Sequence, residues 1–129
     1  MYVFNDRLVM SSGGATREDC ALRVVATVVA RPAPDRLILD AGSKTLAKDT
    51  CPQGGFGEIC GHPDLHLAGL SEEHGTVAAP GGTGLQIGDV VQIIPNHVCP
   101  VVNLADRLYG FRDGLLAEEI PVVARGRNR

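Results

Sequence analysis

The sequence predicts a mainly β domain, an antiparallel barrel or sandwich with at most one or two short helices. Three observations carry that reading. Apolar residues alternate with period 2 over several short runs instead of recurring at helical spacing. Gly and Pro, 16 and 8 of the 129 residues, punctuate those runs. Aromatics make up only 4% and Trp is absent, so the core has to be assembled from Val, Leu, Ile and Ala.

The longest run, CALRVVATVVA over 20–30, places Cys20, Leu22, Val24, Ala26, Val28 and Ala30 on one face. Arg23 and Thr27 lie on the other, the pattern of a strand with one side on a core. RLILD (36–40), HGTVA (74–78), DVVQII (89–94), RLYGFR (107–112) and LLAEEIPVVA (115–124) continue the series. Asp113-Gly114 between the last two predicts a tight hairpin. PQGGFG (52–57), PGGTG (80–84) and Gly88-Asp89 are further breaks. SKTLAKD (43–49) reads as a turn or two of helix. CGHPDLH (60–66) spaces His62 and His66 by four, but Gly61 and Pro63 interrupt any helix, and the segment reads as a loop that holds no metal. A chain of 129 residues without repeat or linker fits one domain, 1–129.

Charge excludes some functions. The net charge is −3, and the one short basic stretch is the tail ARGRNR, which argues against nucleic acid or an anionic membrane as partner. No apolar run is long enough to span a bilayer and Met1 opens no signal-peptide pattern, so the expected location is the cytoplasm. Cys20, Cys51, Cys60 and Cys99 form no CxxC pair, and in such a chain they read as free thiols. Cys51 and Cys60 flank a Gly-rich loop and are taken as unrelated thiols.

The chemistry concentrates in IIPNHVCPVVN (93–103), where His97 and Cys99 stand two apart between Pro95 and Pro100. If the chain is extended through 97–99, both side chains point the same way and can grip one ion. Imidazole and thiolate suit Zn²⁺, and two protein ligands leave a tetrahedral site open, as catalytic sites are. The same spacing also fits a half-buried His and a buried thiol that only pack. LSEEHG (70–75) gathers Glu72, Glu73 and His74, which suit a third ligand, a general base or a carboxylate orienting His97. A plain charged turn entering a strand accounts for them as well. In LDAGSK (39–44), Asp40 ends an apolar strand, Gly42 permits a sharp turn, and Lys44 is one of two lysines. Lysine can form a Schiff base, but with no phosphate cradle nearby a surface ion pair or substrate contact suits Lys44 better.

Taken in order, YVFND, CALRVVATVVARPAPDRLILDAGSKTL, LSEEHG, GDVVQIIPNHVCPVVNLAD and PVVARGR resemble the C-terminal domain of the D-threonine aldolase and D-serine dehydratase family over nearly the whole chain. The resemblance implies a β-rich domain that covers the mouth of an N-terminal (β/α)₈ barrel, in an enzyme that resembles alanine racemase. In that family the barrel carries pyridoxal phosphate on a lysine, the active site lies between the two parts, usually in a dimer, and a divalent metal sits near the cofactor. His97 matches the family's metal-binding His. Cys99 matches a position that is Cys in the dehydratases and Asp in the aldolases. Asp40, Lys44, Glu73 and His74 would belong to the active-site face or to the layer of residues just behind it.

The resemblance also sets limits. A barrel needs roughly 250 residues, and none is present here, so the expectation is a metal-binding domain that is inactive alone. Its partners would be the barrel of the same enzyme and a further copy of itself. Its metal would be zinc, with manganese as the alternative, and pyridoxal phosphate would bind only with the barrel. The substrates would be D-3-hydroxy amino acids, undergoing aldol cleavage or dehydration. Met1 falls where the family's β-domain starts, which fits a fragment or a truncated product. The competing expectation is a free-standing metal-binding or interaction module without catalysis.

Overall fold

The computed structural model describes residues 3–127. Val24–Ala33 (β1) is the longest strand, with Val24, Ala26 and Val28 buried and Val25 and Val29 exposed. That is the alternation its sequence predicts. Arg36–Leu39 (β2) follows across a short turn and returns antiparallel, with Val28 opposite Leu39. After the short helix Ser43–Leu46 (α2) come Gly57–Ile59 (β3), His66–Leu70 (β4), Gly75–Ala78 (β5) and Val90–Pro95 (β6). All six strands join one antiparallel sheet in the order β3-β6-β1-β2-β5-β4. The sheet curls until its ends nearly meet, where the Phe56 N–H donates to the Leu67 carbonyl at 3.0 Å. The result is a nearly closed barrel filled by Val28, Leu37, Leu39, Leu67, Val77 and Ile93, among others.

The expected class therefore holds, with one correction of detail. The described residues contain three short helices, one more than the sequence suggested: Arg7–Ser11 (α1), α2 and Val98–Leu104 (α3). α1 escaped notice because five residues carry no periodicity. α3 was hidden by Pro100, which falls in its first turn, where a missing N–H costs no intrahelical bond. The strands β3 and β4 are also new. Gly57 leaves β3 without a readable pattern, and the register of β4 slips between Leu67 and Gly69. His62 lies in the loop between them and His66 opens β4, so the two are not stacked on a helix. Cys20 and Cys51 are buried, and with half-buried Cys60 they are free thiols. Burial pushes the Cys20 thiol pKa up.

Arg107–Arg112 (β7) and Leu115–Pro121 (β8) form a separate two-stranded sheet. Asp113 and Gly114 at its turn have φ of 52° and 78°, the left-handed pair that a tight hairpin requires. Every residue of β8 is exposed, Leu115 and Leu116 included, and Tyr109 and Phe111 on β7 are exposed too. No helix among the described residues is long and apolar enough to cross a membrane.

One backbone feature bears on the site. Ala47, the residue that ends α2, has φ 59° and ψ −166°, a region used almost only by glycine. Ala47→Gly is expected to raise stability by about 1 kcal/mol, relief of strain outweighing the added chain entropy. Urea denaturation checks the sign.

Candidate metal centre and its supporting network

The segment that carries His97 begins where β6 leaves the barrel. Asn96, 1% exposed, follows Pro95 directly and works as a hub. Its amide donates to the carbonyls of Asp49 and Gly55, both at 2.8 Å. Its Oδ1 accepts from the guanidinium of Arg7 at 2.6 Å, and Arg7 also donates to the Gly54 carbonyl. The start of α1, the loop beyond α2 and the neighbouring PQGGFG turn are thereby tied to one side chain.

Asp6 secures the next residues. Fully buried, it accepts from the Val9 N–H through Oδ1 and from the Val98 N–H through Oδ2, each at 3.0 Å. One carboxylate thus caps two helices, α1 and α3. Val98 and Val101 bury the inner face of α3. This overturns the extended path assumed for 97–99. His97 is extended, but the helix starts at Val98 and Cys99 lies in its first turn, exposed. Prolines on either side had suggested an extended segment throughout, yet burial of Val98 and Val101 and the Asp6 cap favour helix from Val98 onward.

His97 is 27% exposed at its side chain, and its Nδ1 lies 2.8 Å from Asp49 Oδ1. A carboxylate can only accept, so Nδ1 carries the hydrogen and Nε2 remains for another partner. The carboxylate beside His97 is thus Asp49, and Glu72 and Glu73, put forward for that place, lie elsewhere. Nothing in the linear sequence pairs Asp49 with a His 48 positions away. No set of three or more His, Cys, Asp or Glu side chains suited to a metal is gathered among the described residues. His97 and Cys99 therefore make at most a two-ligand site.

The remaining candidates form a second group. Gly42 packs so closely on the SEEH turn that a Cβ there would lie 2.4 Å from the Glu72 carbonyl oxygen and 2.5 Å from the His74 nitrogen. The N–H groups of Ser43 and Lys44, at the start of α2, donate to the carbonyls of Ser71 and Glu72. DAGSK and SEEHG are therefore one packed unit. Lys44 Nζ lies 2.5 Å from Glu73 Oε1, with both side chains more than 60% exposed, and this hydrogen bond raises the Lys44 pKa. Asp40 Oδ1 accepts from the Thr27 N–H at 2.6 Å, which extends the β1–β2 pairing. His74 is exposed, and its backbone closes the turn onto Ser71. Asp40, Lys44, Glu73 and His74 thus gather around the start of α2, while Asp49, beyond its end, is the residue that reaches His97.

A curled antiparallel barrel with an imidazole held at its rim defines a recognisable class of domain. Residues 21–111 match the family described as "Putative serine dehydratase domain", and the chain belongs to that family. It is 41% identical over 110 residues to a D-threonine aldolase of Arthrobacter, covering 84% of this chain and 28% of that enzyme. An uncharacterized protein of Mycobacterium tuberculosis is 39% identical over 132 residues, covering 98% of this chain and 99% of that protein. Among solved structures, the D-threo-3-hydroxyaspartate dehydratase of Delftia superposes with a TM-score of 0.82 at 28% identity, over 94% of this chain and 37% of that one. Variants of such a dehydratase, with a His or a Cys two positions apart replaced by Ala, have also been solved, the Cys variant in a metal-free form. The chain thus spans about a third of the enzymes it matches and nearly all of the mycobacterial protein.

Proposed function

We propose that this chain is the metal-bearing β-domain of a pyridoxal-phosphate-dependent lyase acting on D-3-hydroxy amino acids, by aldol cleavage or dehydration, and that it is inactive alone. The observation that carries the reading is His97. Its Nδ1 is occupied by Asp49, which leaves Nε2 for a metal. Cys99 stands two positions on, the spacing of the His and Cys replaced in the dehydratase variants. The donor set fits a divalent ion and favours zinc over manganese. The chemistry such an ion supplies is polarisation of a substrate β-hydroxyl. With His97 and Cys99 as its two protein ligands, its other positions would be left for substrate and water.

Pyridoxal phosphate does not fit the described residues. Lys44 is exposed, engaged by Glu73 and held protonated, the form that cannot attack a carbonyl. The cofactor would belong to a barrel such as the larger part of the matched enzymes. The exposed apolar side chains of β7 and β8 offer contact area for that barrel or for a second copy of the chain. Asp40, Lys44, Glu73 and His74 would lie on the face turned toward substrate.

Zinc titration tests the metal assignment. His97→Ala and Cys99→Ala are each expected to weaken binding at least about tenfold. Cobalt in place of zinc should give a sulfur-to-metal charge-transfer band that Cys99→Ala abolishes. Unchanged affinity in both variants would sink the assignment.

A second reading rests on the mycobacterial protein, whose whole length this chain matches. It makes the domain a free-standing metal-binding or interaction module without catalysis. Mixing the chain with a separately expressed barrel domain and assaying D-threonine cleavage separates the two, since a free-standing module gains no activity.

A further inference from the structure

We infer that Asp49 is a positioning residue that fixes the tautomer and direction of the His97 ring, and that Asn96 and the α2 loop hold Asp49 in place for that purpose. The inference rests on the metal-site reading above and adds how the ligand is aimed. Three independent features support it. The Asp49 carboxylate meets His97 Nδ1 at 2.8 Å, so Nε2 is the ring nitrogen left for another partner. The Asp49 backbone is not free to drift, because its carbonyl accepts from buried Asn96 at 2.8 Å. The approach to Asp49 runs through Ala47 in a glycine-type conformation, which persists only where the surroundings dictate the path. The Asp49 side chain is itself 36% exposed, while Leu46 and Cys51 on either side of it are buried and anchor the loop that carries it.

The geometry has a consequence for binding. An imidazole whose Nδ1 is hydrogen-bonded to a carboxylate is fixed in the tautomer that coordinates through Nε2. Without the carboxylate, the ring samples both tautomers and rotates, and a site with only two protein ligands has little else to orient it. Asn96 and Asp6 confine the backbone on either side of His97, whereas Asp49 grips the ring itself.

The test has two readouts. In the metal-free protein, long-range ¹⁵N–¹H correlation spectra report which ring nitrogen of His97 bears hydrogen. Wild type should show the Nδ1–H form, and Asp49→Ala and Asp49→Ser should shift it toward the Nε2–H form. Asp49→Ser keeps a small polar side chain should alanine compromise the fold. Zinc affinity should fall about 10–100-fold in both variants, and Asp49→Asn, which retains one acceptor oxygen, should restore part of each readout. An unchanged Nδ1–H form in Asp49→Ala and Asp49→Ser overturns the positioning role by itself. Zinc binding indifferent to His97→Ala overturns the metal reading beneath it, and with it the purpose assigned to Asp49.

Discussion

Gly42→Ala is expected to destabilise the domain by at least about 3 kcal/mol, at the upper end of what one added methyl group costs in a packed interior. Gly42 has φ −106°, which any residue adopts, so the requirement for glycine is not conformational. It is one of space. The added Cβ would lie within 2.5 Å of the Glu72 carbonyl and the His74 nitrogen, and both are backbone. Backbone cannot rotate aside as a flexible side chain does. To relieve the clash, the SEEH turn must withdraw from α2, which breaks the bonds from Ser43 and Lys44 to Ser71 and Glu72. Gly84→Ala is the control. A Cβ there meets nothing within 4 Å and its φ is not positive, so that substitution should leave stability unchanged or slightly raised. Urea denaturation of both variants gives the contrast. If Gly42→Ala falls within 1 kcal/mol of Gly84→Ala, roughly the scatter of surface substitutions, the packing described for the two motifs is wrong.

Asp6→Ala is the second large effect, about 2–4 kcal/mol. The estimate counts two lost cap bonds to a buried charged group, each worth roughly 1–2 kcal/mol. The loss is not confined to α1. Oδ2 caps α3 at Val98, between the two candidate metal ligands, so zinc affinity should fall along with stability. Asp6→Asn keeps one acceptor and must turn an amide N–H toward one of the two donors, so an intermediate loss is expected. Denaturation and zinc calorimetry on the same preparations check both parts. Loss of stability with zinc affinity unchanged in the folded protein would mean that the α3 cap does not shape the site.

Both effects arise where distant motifs meet, and that division marks what could be read beforehand. Strands β1, β2, β5 and β6 were legible because one-sided burial in a sheet writes a period-2 pattern into local sequence. Strands β7 and β8, which bury no residue, were legible from strand-forming composition and from the Asp113-Gly114 turn between them. His97 and Cys99 stood out for a comparable reason: two soft ligands in an apolar stretch are visible in eleven residues. Those features depend on neighbours in sequence.

What only the tertiary structure decided depends on neighbours in space. The helix at Val98 forms because Asp6, 92 positions away, accepts its first N–H. Asp49 reaches His97 across 48 positions, and Asn96 gathers Arg7, Asp49 and Gly55 around itself. Polar bonds of this kind leave no periodic trace, because each needs a single side chain and a fold to bring its partner within 3 Å. Sequence alone therefore determined the β architecture and singled out His97 as the ring to test for metal binding. The fold determined which of that ring's nitrogens meets Asp49 and which is left over.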